Sequence, residues 1–64
     1  MNKYYIEVIN SGSNKTKYEV EANILGWHES GLYEFVKVEN GIREVTAYFP
    51  VSRTIIYKIE YNIR

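Results

Sequence analysis

Apolar and polar residues alternate along most of the chain, a period of two that is typical of β-strands with one buried face. The alternation is clearest over 17–22, where tyrosine, valine and alanine at even positions alternate with lysine and glutamate at odd positions. The same pattern predicts strands over 3–9, 16–22, 32–38, 42–49 and 54–62.

Two clusters of turn-forming residues divide these strands. Asn10–Asn14 contains only asparagine, serine and glycine, which predicts a hairpin loop between the first two strands. Asn40-Gly41 lies between two β-rich segments and predicts a two-residue type I′ turn. The hairpin register that follows from this turn pairs Glu39 with Ile42 and, farther along, Leu32 with Phe49.

That register divides the hairpin side chains between two faces. We expect the first face to lie in the core; it carries Leu32, Val36, Val38, Val45, Ala47 and Phe49. The second face carries Tyr33, Phe35, Thr46, Tyr48 and the cross-strand pair Lys37–Glu44. In the last strand, Ile55, Tyr57, Ile59 and Tyr61 are predicted to share one face.

Two connections remain. The segment 23–31 is predicted to continue the second strand past a bend at Gly26 and to turn at 29–31. Pro50 has no N–H group to donate to a ladder, so it is predicted to end the hairpin. We expect Val51–Arg53 to form a short connection, the length of one 3-10 turn, before the last strand.

Five short strands with tight connections predict one small all-β domain over 1–64, either a five-stranded barrel or a strongly twisted antiparallel meander. The second half of the chain, in which a long hairpin is followed by Pro50, a one-turn link and a last strand, resembles the end of an SH3-like or Sm-like small barrel. This resemblance is topological, and it implies the barrel form of the fold.

Length and composition limit the ways in which the protein can be stabilised and the compartments in which we expect it. The chain has 64 residues and no cysteine, which excludes disulfides and thiolate metal sites. A core this small contributes little net stability, so we expect oligomerisation to assist it. The sequence shows no secretion signal and no apolar span of membrane length, and we expect a cytoplasmic protein without membrane contact.

Catalytic chemistry has little basis in the sequence. His28 is the single histidine and there is no aspartate, so no serine has both a base and a residue to orient it. Glu29, next to His28, would point elsewhere on a strand, so a metal site lacks converging ligands. We therefore expect no catalytic residue, no metal and no cofactor.

Aromatic residues are the unusual feature, since seven tyrosines exceed the needs of so small a core. They either pack internally or form a contact surface, because aromatic residues are enriched at interfaces. Trp27 likewise either plugs one end of the domain or anchors a partner. The candidate binding residues are Trp27, His28, Tyr33, Phe35, Tyr48 and Arg53.

The chain as a whole resembles the short all-β proteins that phages and other mobile elements encode, and its use of Asn, Ile, Lys and Tyr resembles that of AT-rich genomes. This resemblance implies a non-enzymatic binding protein or inhibitor that occupies a host protein, a defence protein or a small ligand. The alternative is a nucleic-acid-binding barrel that stacks bases on Tyr33, Phe35 and Tyr48. Zero net charge argues against phosphate binding.

Apolar side chains on both faces of the first and last strands also bear on assembly. If both strands lie at sheet edges, a second copy would cover them, and a twofold homodimer or a higher homo-oligomer is expected. The alternative is a monomer in which the first and last strands pair with each other.

Overall fold

The computed structural model describes residues 1–62. The strands are β1 (Asn2–Ile9), β2 (Lys15–Ala22), β3 (Ile24–His28), β4 (Leu32–Glu39), β5 (Ile42–Pro50) and β6 (Thr54–Glu60). They form two antiparallel three-stranded sheets, a terminal sheet of order β2-β1-β6 and a meander sheet of order β3-β4-β5. No residue of this range is in an α-helix, so the all-β prediction is confirmed.

The chain passes from one sheet to the other first at Asn23, between β2 and β3. The Asn23 backbone N–H donates to Val36 O at 2.9 Å, and the Asn23 side-chain Oδ1 accepts from Val38 N at 2.8 Å. The predicted bend at Gly26 is therefore wrong. An asparagine can bend a strand here because its own side chain replaces a missing backbone acceptor.

The second passage is the 3-10 turn Val51–Arg53 between β5 and β6, as the sequence predicts. The Val51 N–H donates to Gly31 O at 2.9 Å and holds this turn against the β3–β4 connection. Thr54 is buried, and its hydroxyl donates to Pro50 O at 2.5 Å. This hydrogen bond satisfies the one buried polar side chain at the passage.

The terminal sheet has β1 at its centre, paired on one side with β2 and on the other with β6. The expectation that the first strand lies at an exposed edge is therefore wrong, because the last strand covers it within the same chain. Tyr57 is an extra residue in β6, where the register shifts by one. This bulge turns both Ile56 and Ile59 toward the core, so the predicted face of the last strand is also wrong.

The hairpin of β4 and β5 confirms the predicted register close to its turn. Asn40 and Gly41 have positive φ angles of 52° and 77°, as a type I′ turn requires. The pairs from Glu39–Ile42 to Val36–Val45 match the prediction.

Beyond these pairs, Thr46 is a bulge residue, so Phe35 lies opposite Ala47 and Tyr33 lies opposite Phe49. The Thr46 hydroxyl donates to Phe35 O at 3.2 Å and satisfies the carbonyl at the bulge.

The bulge decides which hairpin residues enter the core. Phe35, predicted on the second face, is fully buried, and its ring lies 5.1 Å from that of Tyr4. The buried core cluster consists of Tyr4, Ile6, Ala22 and Phe35, with Ala47 and Phe49 among the residues packed around it. Val45, predicted on the core face with Ala47, is instead 41% exposed, whereas Val36 is buried as predicted, at 2% exposure.

Candidate functional site

A row of aromatic side chains crosses the meander sheet at the end where β3 and β5 finish. Trp27 lies opposite Tyr33, and Tyr33 lies opposite Phe49. Directly opposed residues project to the same face, so the three side chains share the face that carries Phe35. We call this row, with the β3–β4 turn and the 3-10 turn beside it, the aromatic end.

Exposure increases along this row from the core to the surface. Phe35 is 0% exposed, Phe49 and Tyr33 are half-buried, and Trp27 is 69% exposed. The Phe49 ring lies 5.8 Å from Phe35 and 5.2 Å from Tyr18 on the opposite sheet. The partly buried rings that lie next to Trp27 are therefore fixed by the core.

The β3–β4 turn is held by short-range hydrogen bonds. Gly31 N donates to His28 O at 2.9 Å, and Gly31 has a φ of 82°, which glycine adopts without strain. His28 Nδ1 accepts from the Ser30 N–H at 3.2 Å, and Ser30 Oγ lies 2.7 Å from the same nitrogen. Because Nδ1 is an acceptor, a neutral His28 carries its proton on Nε2. His28 thus ends β3 in solvent, and its ring accepts a hydrogen bond from the turn that follows.

Four of the six predicted binding residues meet at the aromatic end. Trp27 and His28 finish β3, Tyr33 lies opposite Trp27, and Arg53 is exposed in the 3-10 turn that binds Gly31 O. The structure separates the other two, as Phe35 has no exposed surface and Tyr48, 53% exposed, lies on the opposite face of the sheet.

The predicted stacking surface of Tyr33, Phe35 and Tyr48 is therefore wrong. Its physical cause is the bulge at Thr46, which moves the β5 side chains beyond it by one register position. Sequence reasoning also missed the role of Tyr18, which contacts Phe49 across the two sheets. No local pattern connects these two residues, because only the packing of one sheet on the other brings them together.

The exposure of Trp27 decides between the two roles that the sequence left open for it, a plug over the end of the domain and an anchor for a partner. A plug over the end of the domain would have a buried ring, whereas most of the Trp27 side chain is exposed. The interpretation of Trp27 as a plug is therefore wrong.

The outer face of the terminal sheet is an alternative surface, and four of its charged side chains form two ion pairs within the chain. Lys3 Nζ lies 2.7 Å from Glu19 Oε1, and Lys15 Nζ lies 3.3 Å from Glu7 Oε1. The hydrogen bond from Lys3 to Glu19 raises the pKa of Lys3.

Tyr5 lies at the centre of this face, with Lys3 and Lys58 at 5.4 and 5.1 Å from its ring centroid. Its hydroxyl donates a hydrogen bond to Glu60, and this bond raises the pKa of Tyr5. Tyr5 and the charged side chains around it contact one another within the sheet, so this central part of the face resembles a solvated surface.

A cavity of about 210 Å³ lies at the other end of the meander sheet. It is lined by Lys37, Glu39, Asn40, Ile42 and Glu44. Pockets for small organic ligands have volumes of about 300–1,000 Å³ and mostly apolar walls, so this cavity is a poor ligand site.

Two further observations concern residues 1–62. They contain no cluster of three or more histidine, cysteine, aspartate or glutamate side chains arranged to hold a metal ion. They also contain no helix with the length and apolarity needed to cross a membrane.

Comparisons of the chain with protein-family models, with curated proteins and with solved structures give no match. The geometry of the molecule is therefore the basis for a functional proposal.

Proposed function

We propose that this protein is a non-enzymatic binding domain that contacts a partner protein through its aromatic end. The observation that carries the proposal is Trp27, which is 69% exposed in a row of aromatic side chains continuous with the core. Tryptophan is prominent among the residues that dominate the energy of protein interfaces.

The residues that lie next to Trp27 favour such a contact. Tyr33 lies beside it in register and Phe49 lies beyond, and both pack against the core. A partner that covers Trp27 therefore meets a surface that is largely ordered before binding, which lowers the entropic cost of association. The complementary surface would be an apolar depression with a polar rim, since buried aromatic anchors fill pockets of this kind.

Nucleic acid is disfavoured as the ligand by the same geometry. Stacking requires several exposed rings on one face, whereas Phe35 is buried and Tyr48 lies on the opposite face. The chain also has eight basic and eight acidic residues, so its net charge does not attract a phosphate backbone.

The proposal includes the fold family and the biological setting. Connectivity supports an SH3-like small barrel: β1 pairs with both β2 and β6, and a 3-10 turn joins β5 to β6. The resemblance of the chain to short all-β proteins of phages and other mobile elements supports a cytoplasmic host or defence protein as the partner.

Affinity capture from host-cell lysate, with a matched pair of variants as bait, tests the proposal. Trp27→Ala removes the proposed anchor, and Ile42→Ala removes an equally exposed side chain, 70% exposed, at the other end of the sheet. Both positions are largely in solvent, so we expect each change to alter the free energy of unfolding by no more than about 0.5 kcal/mol. Tagged wild-type protein and the Ile42→Ala variant should retain the same captured protein, and Trp27→Ala should lose it.

The captured protein should then be purified and titrated into the wild type. Trp27 is the only tryptophan of the chain. Acrylamide should therefore quench its fluorescence less when a tryptophan-free partner fragment covers it. Equal capture by wild type and Trp27→Ala would refute the proposal. A ligand released by nuclease, with affinity that falls steeply with salt, would instead establish nucleic-acid binding.

A further inference from the structure

The four edge strands of the two sheets differ in how well they are protected against pairing with another chain. The edges are β2 and β6 in the terminal sheet and β3 and β5 in the meander sheet. Bulges and proline are common devices that block edge pairing. β5 contains the Thr46 bulge and ends at Pro50, and β6 contains the Tyr57 bulge.

β3 is also a poor template, since it has only five residues and a glycine at its centre. β2 has eight residues in unbroken register with β1, and it contains no bulge, glycine or proline. Among the strands of residues 1–62, β2 therefore has the longest regular edge without such a device.

The orientation of the β2 backbone groups follows from the hydrogen bonds at its two ends. Asn10 N donates to Asn14 O at 2.7 Å, which makes residues 10 and 14 a hydrogen-bonded pair. Bonded and non-bonded pairs alternate in an antiparallel ladder, so even-numbered β2 residues direct their N–H and C=O groups to β1. The odd-numbered residues direct theirs outward, and Asn23 N, which bonds to Val36 O away from β1, agrees with this assignment.

The side chains of these odd-numbered residues carry a symmetrical charge pattern. Lys15 and Lys17 occupy the first half of β2, and Glu19 and Glu21 occupy the second half. An antiparallel copy of the same strand reverses this order, so lysines of one copy meet glutamates of the other. A parallel copy would place like charges together.

We propose that β2 pairs antiparallel with β2 of a second copy of this chain and forms a twofold homodimer with one continuous six-stranded sheet. The axis passes beside Tyr18. Lys17 then lies opposite Glu19 of the partner subunit, and Lys15 lies opposite Glu21 of the partner subunit. Because the axis repeats both contacts, the edge contains four cross-strand pairs of opposite charge.

The charges on β2 favour this register over the registers that are shifted by two residues. A shift of the partner by two residues in one direction places Lys17 opposite the partner's Lys17. The same shift in the other direction places Glu19 opposite the partner's Glu19. Like charges that face each other directly destabilise a strand pair, so both shifted registers are penalised. Shifts by one residue would bring outward-directed groups against inward-directed ones and lose the hydrogen bonds.

The inner face of the edge supports the same arrangement. Tyr18 is 44% exposed although its ring contacts Phe49, and in the dimer it lies opposite the partner's Tyr18. Thr16 lies opposite the partner's Val20, so two half-buried β-branched side chains also meet. The pairing therefore extends the core across the axis.

The proposed dimer is independent of the contact at Trp27. The sequence alone predicts that a second copy covers the first and last strands. In the proposed dimer, the second copy covers the edge of β2 instead. The first strand is unsuitable because β2 and β6 already flank it.

Sedimentation velocity over a range of protein concentrations in low-salt buffer tests the dimer. We expect Lys17→Glu and Glu19→Lys each to weaken dimerisation by about 10-fold or more, because each single change converts two opposite-charge pairs into like-charge pairs. The control Arg43→Glu makes the same charge change on the exposed hairpin and should dimerise like the wild type.

Combinations of variants that restore opposite charges distinguish loss of edge pairing from damage to the monomer. Lys17→Glu mixed with Glu19→Lys should form a heterodimer, and the double variant should recover the homodimer, since both combinations restore opposite charges at every contact. Wild-type protein that sediments as a monomer at every concentration would overturn the proposal. So would a dimer that the single changes leave intact, or one that neither combination restores.

Discussion

The two ends of the meander sheet carry apolar side chains of almost equal exposure, Trp27 at 69% and Ile42 at 70%. Trp27 ends a row of rings that leads back to the buried Phe35, whereas Ile42 lies at a hairpin tip among charged residues. The contrast shows that exposure alone does not define a binding site. The packing behind the exposed side chain decides whether a partner meets an ordered surface.

The largest effect should come from removing the core behind the aromatic end. Phe35→Ala deletes a fully buried ring, and such changes cost about 3–5 kcal/mol. Native domains of this length have a total stability of roughly 3–10 kcal/mol, from about 0.05–0.15 kcal/mol per residue. Urea denaturation followed by circular dichroism should therefore show the loss of a large part of the free energy of unfolding. Phe35→Leu should retain a cooperative transition, and equal loss from both changes would contradict a packing cause.

A smaller effect should come from strain at the hairpin end. Gly41 has a φ of 77°, and a Cβ there meets no atom within 4 Å, so the cost of Gly41→Val is one of backbone conformation. A left-handed conformation costs about 1–2 kcal/mol for residues with a Cβ. Thermal denaturation should show this loss, while Gly41→Asn, which tolerates positive φ, should retain most of the stability. A Gly41→Val variant as stable as the wild type would argue against the type I′ turn.

The junction between the two ends should respond less strongly. Thr46→Val keeps the shape of the side chain and removes the hydroxyl that donates to Phe35 O at 3.2 Å. Loss of one such hydrogen bond costs about 1 kcal/mol. Urea denaturation should show this loss for Thr46→Val and a smaller one for Thr46→Ser. Equal destabilisation by both variants would mean that the hydroxyl does not support the bulge.

The smallest effect concerns a charged face that belongs to neither end. The hydrogen bond from Tyr5 to Glu60 raises the pKa of Tyr5, so this tyrosine should ionise at higher pH than it does in the unfolded chain. The stabilisation from this bond is complete below the unfolded-state pKa and is lost as the pH rises through the folded-state pKa. NMR titration of the Tyr5 ring should show the shift, and Glu60→Gln should reduce it. An identical Tyr5 titration in Glu60→Gln would exclude Glu60 as the cause.

The accuracy of the sequence predictions followed the range of the interactions involved. The type I′ turn and the four adjacent pairs were predictable because Asn40-Gly41 fixes them locally. The bulges at Thr46 and Tyr57 were not, since both residues are ordinary strand formers whose extra register position depends on packing. Each bulge exchanges the two faces of its own strand beyond it. Because the exchange in β5 was not predicted, Ala47 and Phe49 were assigned to the face opposite that of Phe35 and Tyr33, which they in fact share.

The candidate site was predictable in part for the same reason. Trp27, His28 and Arg53 stood out by residue type, and two connections that meet at Gly31 O bring them to one end. Whether the Trp27 ring was buried could not be deduced, because its exposure depends on how far the opposite sheet extends over it. The pairing of the first strand with the last is equally non-local.

That non-local pairing has a consequence for the order of folding. Lys3 pairs with Glu60, and closing so long a segment of chain carries a large entropic cost before any contact forms. The hairpin of β4 and β5 closes over two residues and should form early, so Gly41→Val should mainly slow refolding in stopped-flow experiments. Substitutions in β6, such as Ile59→Val, should instead leave the refolding rate almost unchanged and accelerate unfolding. The kinetic lifetime of the native state would then depend on the strand that joins the sheet last.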